Sequence, residues 1–159
     1  MIRNAPAIIF FLVALTILIY ISMQVKKVHD SLSCTANYIQ HNDNASINLS
    51  IGYDFGERRG TINLMGNLQE NDGRMYTLNR KIIFNYHKDG SDYYLKTTES
   101  IIFPDDRVNT DTLEKRMPSF FTKKDKSMVL KILKNSESNY LFFIDPVPIY
   151  ICKNTLTSE

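Results

Sequence analysis

The hydrophobic pattern changes character twice along this chain. Residues 5–23 read APAIIFFLVALTILIYISM, an unbroken apolar run without a charge. At about 1.5 Å per helical residue, such a run spans a hydrocarbon core of roughly 30 Å. Val25, Val28, Leu32, Ala36 and Ile39 then recur at helical spacing, which predicts that the helix continues as a stalk within residues 24–44. After His41-Asn42-Asp43-Asn44 the period becomes two. Ile47, Leu49, Ile51 and Tyr53 alternate with Asn48, Ser50 and Gly52, the signature of a half-buried strand.

The alternation persists through three more segments. Gly56-Glu57-Arg58-Arg59-Gly60 turns the chain into a strand bearing Ile62, Leu64, Gly66 and Leu68, with Gly66 marking a bulge or bend. Asn71-Asp72-Gly73 is a turn. Tyr76, Leu78, Arg80, Ile82, Phe84 and Tyr86 share one face of the next strand, and Lys88-Asp89-Gly90 turns again. Tyr93, Leu95, Thr97, Glu99, Ile101 and Phe103 share one face of a fourth strand that stops at Pro104. Short connections predict an antiparallel meander. A helical insertion follows: Asp111 with Glu114 reads as a capping-box variant, Leu113 and Met117 form an apolar pair, and Pro118 ends it. Two last strands, Ser127 to Lys134 and Tyr140 to Cys152, flank the loop 135–139; Pro146 and Pro148 make the second bulged or an edge.

The predicted class is therefore α+β, mostly β. An N-terminal transmembrane helix precedes a curved antiparallel sheet or partial lipocalin-like barrel of about six strands, with one helical insertion plugging a side. The predicted organisation is a short cytoplasmic tail (1–4), the span (5–23), the stalk (24–44), a β-rich domain (45–153) and a C-terminal tail (154–159).

Flanking features favour an uncleaved anchor. A secretory signal has an apolar region of about 7–15 residues ending in small residues. Here the run is longer, and Gln24-Val25-Lys26-Lys27 follows without an A-x-A site. Cys34, after Ser31-Leu32-Ser33, does not fit a lipoprotein signal. Thr16 and Ser22 can return their hydroxyls to the helix backbone, and Tyr20 suits an interface. Arg3 and the free amine on one side nearly balance Lys26 and Lys27 on the other, so charge does not fix orientation. The two cysteines, Cys34 and Cys152, lie at opposite ends of the soluble part. An even count suits a disulfide in an oxidising compartment; two unrelated thiols are the alternative. The expected location is an inner membrane crossed once, with the C-terminal domain periplasmic.

Candidate chemistry is sparse. A net charge of +2 does not suggest a nucleic-acid partner, and Lys123, Lys124 and Lys126 read as a solvated loop. His29, His41 and His87 show no metal-ligand spacing. Asp105-Asp106 reads as a turn leading into the helix, in preference to a carboxylate pair. Arg80 and Glu99 fall on apolar faces, either as a buried ion pair or as strand-end charges pointing outward, with the second preferred. There is no Gly-rich phosphate loop and no nucleophile elbow. The expectation is a protein that is not an enzyme and needs no cofactor. Tyr76, Phe84, Tyr86, Tyr93 and Phe103 are candidates to line an apolar pocket, against the plainer reading of ordinary core. Tyr140-Leu141-Phe142-Phe143-Ile144 is the candidate partner edge, because the prolines beside it cannot donate to a ladder.

The layout of short tail, anchor, stalk, β-rich domain and the late segment Pro148-Ile149-Tyr150-Ile151-Cys152 resembles the FidL-like proteins of enterobacteria. In size and layout it is similar to the MyfF and PsaF proteins, and more distantly to ToxS and VtrC. The resemblance covers the whole chain and carries no catalytic signature. It implies an accessory subunit that binds and stabilises the periplasmic domain of a membrane-anchored winged-helix transcription activator of fimbrial or virulence genes. It also implies a lipocalin-like site, completed with that partner, for a small apolar ligand such as a bile salt. The family's late cysteine would correspond to Cys152 and its partner to Cys34. Rival expectations are a free-standing sensor or carrier of a small apolar ligand, and an envelope or pilus assembly factor.

Overall fold

Eight strands run in sequence order around a closed antiparallel barrel in the computed structural model, which describes residues 10–20, 22, 32–42, 45–135, 139–144 and 147–155. They are β1 (Leu32–Asn42), β2 (Ala45–Phe55), β3 (Arg59–Glu70), β4 (Met75–Asp89), β5 (Asp92–Ile102), β6 (Ser127–Lys134), β7 (Asn139–Ile144) and β8 (Val147–Asn154). Each pairs with the next, and β8 returns to β1. Eight strands give an interior that side chains just fill. Tyr53, Phe55, Phe84, Phe142 and a row of Ile and Leu residues occupy it, nearly all fully buried.

The alternation read from sequence places β2, β3 and β4 correctly. Ile47, Leu49, Ile51, Tyr53 and Phe55 point in from β2, and Leu78, Arg80, Ile82 and Phe84 from β4. Gly73 closes the β3–β4 turn at φ 82°, where an L side chain is strained. Gly66 is no bulge: the register with β2 and β4 runs through it unbroken. A Cβ there would lie 2.1 Å from the Asn48 carbonyl oxygen, so Gly66 permits close backbone approach.

Four expectations are corrected. The helical stalk gives way from Leu32 onward to β1, which alternates Leu32, Cys34 and Ala36 inward; residues 23–31 lie outside the described residues. Leu32 and Ala36, four residues apart, share a face in a helix and in a strand alike, and pairing with β2 decides. The single face expected for β5 is broken by a bulge at Thr98, because Ile83 pairs with Glu99 while Phe84 pairs with Thr97. The bulge turns Glu99 outward, exposed, on the side opposite Thr97. The last strand is two, β7 and β8, with residues 145–146 between them outside the described set. Lastly, the helix Thr110–Glu114 is capped by Asn109, whose side chain accepts the Asp111 N–H at 2.8 Å; Glu114 instead reaches forward to Thr122 and Lys123.

The insertion between β5 and β6 fills a gap in the wall. β6 pairs with β5 only as far as Ser127 opposite Lys96. Beyond that point the loop supplies the bonds: Thr97 N–H to Lys126 C=O, Asp125 N–H to Thr97 C=O, and the Thr97 hydroxyl to Phe120 C=O at 3.0 Å. Leu113, Met117, Phe120 and Phe121 are buried in the core.

A buried ion pair fixes the start of this insertion. Arg80 and Asp106 side chains are each 1% exposed, with Arg80 Nε donating to Asp106 Oδ2 at 2.9 Å. The same carboxylate accepts the Asn79 and Val108 N–H groups, both at 3.0 Å, and Arg80 Nη2 donates to the Val108 carbonyl. Arg80 is thus paired with Asp106 and points inward, where the preferred reading had it outward. Asp105 accepts the Asn79 side-chain amide, so the two aspartates do hold a turn.

The N-terminal unit, residues 1–31, is separate. Residues 10–20 and 22 are helical and mostly exposed, and Thr16 and Ser22 donate to the Val13 and Ile19 carbonyls at 2.8 Å, as expected for hydroxyls in an apolar helix. Among the described residues no helix is long and apolar enough to cross a membrane; residues 1–9, 21 and 23 of the expected tail and span lie outside them.

Removing one partner of a buried, fully bonded ion pair costs about 3–5 kcal/mol, because the survivor is left charged and unpaired. Asp106→Ala and Arg80→Ala are each expected to destabilise the barrel by roughly 3 kcal/mol. The double variant is expected to lose clearly less than the sum. A urea-unfolding double-mutant cycle checks this, and additive losses would show that the two groups act independently.

Candidate partner interface

The barrel closes through a short seam. Eleven register pairs join β1 to β2, whereas two, Cys34↔Asn154 and Thr35↔Lys153, join β1 to β8. The Thr155 N–H donates to the Ser33 carbonyl at 3.1 Å, and the Ser33 and Thr155 hydroxyls lie 2.9 Å apart. Cys34 and Cys152 form a disulfide across this seam, with Cα atoms 5.5 Å apart and a sequence separation of 118.

Above these two positions β1 and β8 share no further register pair among the described residues. Ser33 points its backbone groups at β8, so by the alternation of an antiparallel strand Asn37, Ile39 and His41 do the same. None of the three has a register partner in β8 among the described residues. Asn37, Ile39 and His41 are exposed, as are Val147 and Ile151 across the opening. The result is a notch: a strip of β1 edge without a ladder partner among the described residues. Along the outside of β1–β3, next to Ile39 and His41, a groove of about 330 Å³ runs past Asn48 and Asn67 to Met75.

Tyrosines back the notch from inside. The Tyr38 and Tyr150 rings meet edge-on at 6.5 Å, and the Tyr38 hydroxyl donates to Gln40 Oε1 at 3.2 Å. Tyr53 and Tyr150 share a hydroxyl–hydroxyl hydrogen bond. Burial raises the Tyr53 phenol well above its ordinary range, and the bond to Tyr150 only partly offsets this. Burial also raises Tyr150, helped by the neighbouring Tyr53.

The expected partner edge is corrected by the ladders. Tyr140, Leu141, Phe142, Phe143 and Ile144 form β7, which has β6 on one side and β8 on the other. Phe142 is fully buried, while Leu141 and Phe143 face outward. Pro148 does disturb the strand, through a register shift between Phe142 and Phe143, but without freeing its edge. The free edge belongs to β1, which sequence reasoning took for a helix. Its period-two signal, Leu32, Cys34, Ala36 and Tyr38, was present but masked by the helical spacing beside it.

The candidate pocket residues separate into two places. Phe84, Tyr86 and Tyr93 gather around Phe55 with ring centroids 5.2–5.3 Å from it. Phe55 was missed, though it continues the inward phase of β2. Tyr76 lies opposite Leu68 at the far end of β4, and Phe103 donates its N–H to the Asn79 carbonyl there. His41 is exposed beside the notch and His87 stacks on Tyr94 at 4.6 Å; His29 lies outside the described residues. Among the described residues no group of His, Cys, Asp and Glu is placed to hold a metal ion.

The raised phenols predict alkaline sensitivity. Their protonated, hydrogen-bonded form is stabilising and fully present below the unfolded phenol value of about 10. As pH rises above that value the unfolded chain ionises first, and stability falls. The urea midpoint is expected to drop between pH 9 and pH 11, and Tyr53→Phe/Tyr150→Phe to flatten that drop. Equal drops in both proteins would remove these phenols as the cause.

Two comparisons bear on kinship. The chain is 24% identical over 153 residues to the uncharacterized protein YqeJ of Escherichia coli (strain K12), covering 94% of this chain and 96% of that one. No solved structure matches. The model of the YqeJ C-terminal domain matches residues 31–152, nearly the whole barrel from just before β1 to Cys152, and the chain belongs to that family.

Proposed function

We propose that this chain is a non-catalytic accessory subunit, anchored in the bacterial inner membrane by residues 5–23, whose periplasmic barrel binds and stabilises the periplasmic domain of a membrane-anchored winged-helix transcription activator. The observation that carries the reading is the notch between β1 and β8. The strand groups of Asn37, Ile39 and His41, without a register partner in β8 among the described residues, invite an extended segment of another chain, which gains main-chain hydrogen bonds there. Two further features support it. The disulfide suits an oxidising compartment, and residues 10–20 supply a charge-free apolar helix ahead of the barrel. The layout shared with the FidL-like proteins supplies the identity of the partner, including a role in fimbrial or virulence gene control. The ligand-sensing alternative has less support, because aromatic and aliphatic side chains already occupy the barrel interior.

Affinity capture of the intact protein from membranes, with mass spectrometry of what is retained, is expected to recover such an activator. Ile39→Pro removes the N–H on the open side of β1 while sparing the β1–β2 ladder, and is expected to abolish capture with the thermal melt little changed. Recovery of no activator, or equal recovery with Ile39→Pro, would overturn the reading. The disulfide is tested in the same material. Closing a 118-residue loop is worth about 4.9 kcal/mol in the chain-entropy model. Cys34→Ser and Cys152→Ser are therefore expected to lower steady-state abundance sharply, and free-thiol labelling of both cysteines in the native protein would refute the bond.

A further inference from the structure

The outside of the barrel has two unlike faces. Across β1–β3 the outward side chains are mostly uncharged and polar, with Ile39 and Met65 exposed singly among Thr35 and Asn37, Asn48 and Ser50, and Asn63 and Asn67. Across β5–β8 apolar side chains stand in rows between charged and polar ones. Leu133, Leu141 and Ile151 form one row across three strands, Lys131 and Phe143 form the next, and Val129 and Tyr94 the row beyond. Leu133 is 42% exposed, Val129 43% and Ile151 51%. Exposed apolar side chains aligned in register on one wall mark a contact surface, whereas scattered ones do not.

The charges on this wall have one dominant sign. Lys96, Lys131 and Lys153 point outward among the apolar rows, and Lys134 ends β6. Asp92, opposite Lys131, and Glu99, beyond the β5 bulge, are the outward acids of these strands among the described residues, against four lysines. The Leu133–Leu141–Ile151 row sits at the end of the barrel where β1 begins, since β8 meets Cys34 there. Bulky apolar side chains and a tyrosine ringed by lysines complement an anionic lipid surface, where apolar groups enter the interface and ammonium groups meet phosphate.

We propose that the outer wall of β5–β8 is a lipid-contact face that lays the barrel against an anionic leaflet. The proposal rests on the membrane-anchored reading above and concerns the outer wall, which meets the rim of the notch at Ile151. Each lysine brought to an anionic leaflet contributes roughly a fivefold gain in partitioning, so the three outward lysines bias the barrel strongly toward that surface. Held there, the barrel presents the opposite, polar wall to solvent.

The chain contains no tryptophan, so a single introduced one reports without background. The full chain is reconstituted in nanodiscs doped with a doxyl-labelled phospholipid, as Leu133→Trp and, on the opposite wall, Asn63→Trp. Strong quenching of Leu133→Trp but not of Asn63→Trp is expected with phosphatidylglycerol present. It should weaken in pure phosphatidylcholine, and at ~1 M salt, where charges are screened beyond about 3 Å. Equal quenching at both positions, no quenching at either, or quenching indifferent to lipid charge and salt would overturn the proposal. So would shielding of Leu133→Trp that appears only when a protein partner is added, which assigns the wall to protein docking. If the chain fails to enter nanodiscs, the anchor reading fails by itself. The same quenching is then read on adding anionic vesicles to the full chain: selective quenching at Leu133→Trp upholds the lipid-contact face, and its absence removes it.

Discussion

The seam between β1 and β8 is the constraint on which the rest of the barrel depends. A sheet rids itself of reactive edges only by pairing its first and last strands, and here that pairing covers two register positions. So short a ladder is a weak clasp by itself. The Cys34–Cys152 bond lies across it and removes much of the entropy gained by opening, because it encloses almost the whole domain in one covalent loop. Closure and incompleteness therefore coexist. The lower part of the seam is locked, and the upper part leaves Asn37, Ile39 and His41 without a register partner in β8 among the described residues.

A second gap, between β5 and β6, is solved differently. There the chain fills its own opening with the helical insertion, whose buried apolar residues join the core and whose backbone takes over the unused bonds of Thr97. The insertion is pinned at its start by Asp106 on Arg80. A charged pair this deeply buried is tolerable because both charges are hydrogen-bonded beyond their mutual contact: two backbone N–H groups on the carboxylate, a carbonyl and a hydroxyl on the guanidinium. Of these two interruptions in the ladders, one is thus sealed from within the chain and the other has no partner among the described residues.

The sequence made some of this legible and hid the rest for identifiable reasons. Period-two alternation is a local property, so β2, β3 and β4 could be read with their inward faces. A bulge is also local in effect but has no period of its own, and Thr98 reversed the face beyond it without warning. The partner of Arg80 lay 26 positions away, past a strand end and a turn, where no spacing rule reaches. β1 failed for a different reason: an apolar helix precedes it in sequence, and five residues at helical spacing extend that pattern into what is a strand. With β1 lost, the barrel could not be closed, and the free edge was placed on β7 because its prolines were visible. The cysteines were the long-range clue. Their bond requires residue 34 to lie beside residue 152, which a continuous stalk helix leaves unexplained and a first strand beside a last one explains at once.

In the proposed reading, the short length of the open edge also limits what can dock there. Main-chain hydrogen bonds to Asn37, Ile39 and His41 supply attraction without regard to sequence, since any extended segment offers them. Three edge residues accommodate only a short strand, at roughly 3.4 Å of rise per residue, before the locked seam stops it. Selectivity must then come from side chains, which alternate between the two faces of an added strand. On the inner side they meet Tyr38 and Tyr150, rings held by edge-on packing and by the hydroxyl bond to Tyr53. On the outer side they meet the groove beside Ile39 and His41, where Asn48 and Asn67 offer amide groups and no charge. A segment with an apolar or aromatic residue turned inward and an uncharged polar residue turned outward satisfies both. One bearing a charge inward is rejected by the same desolvation that drives the phenols upward.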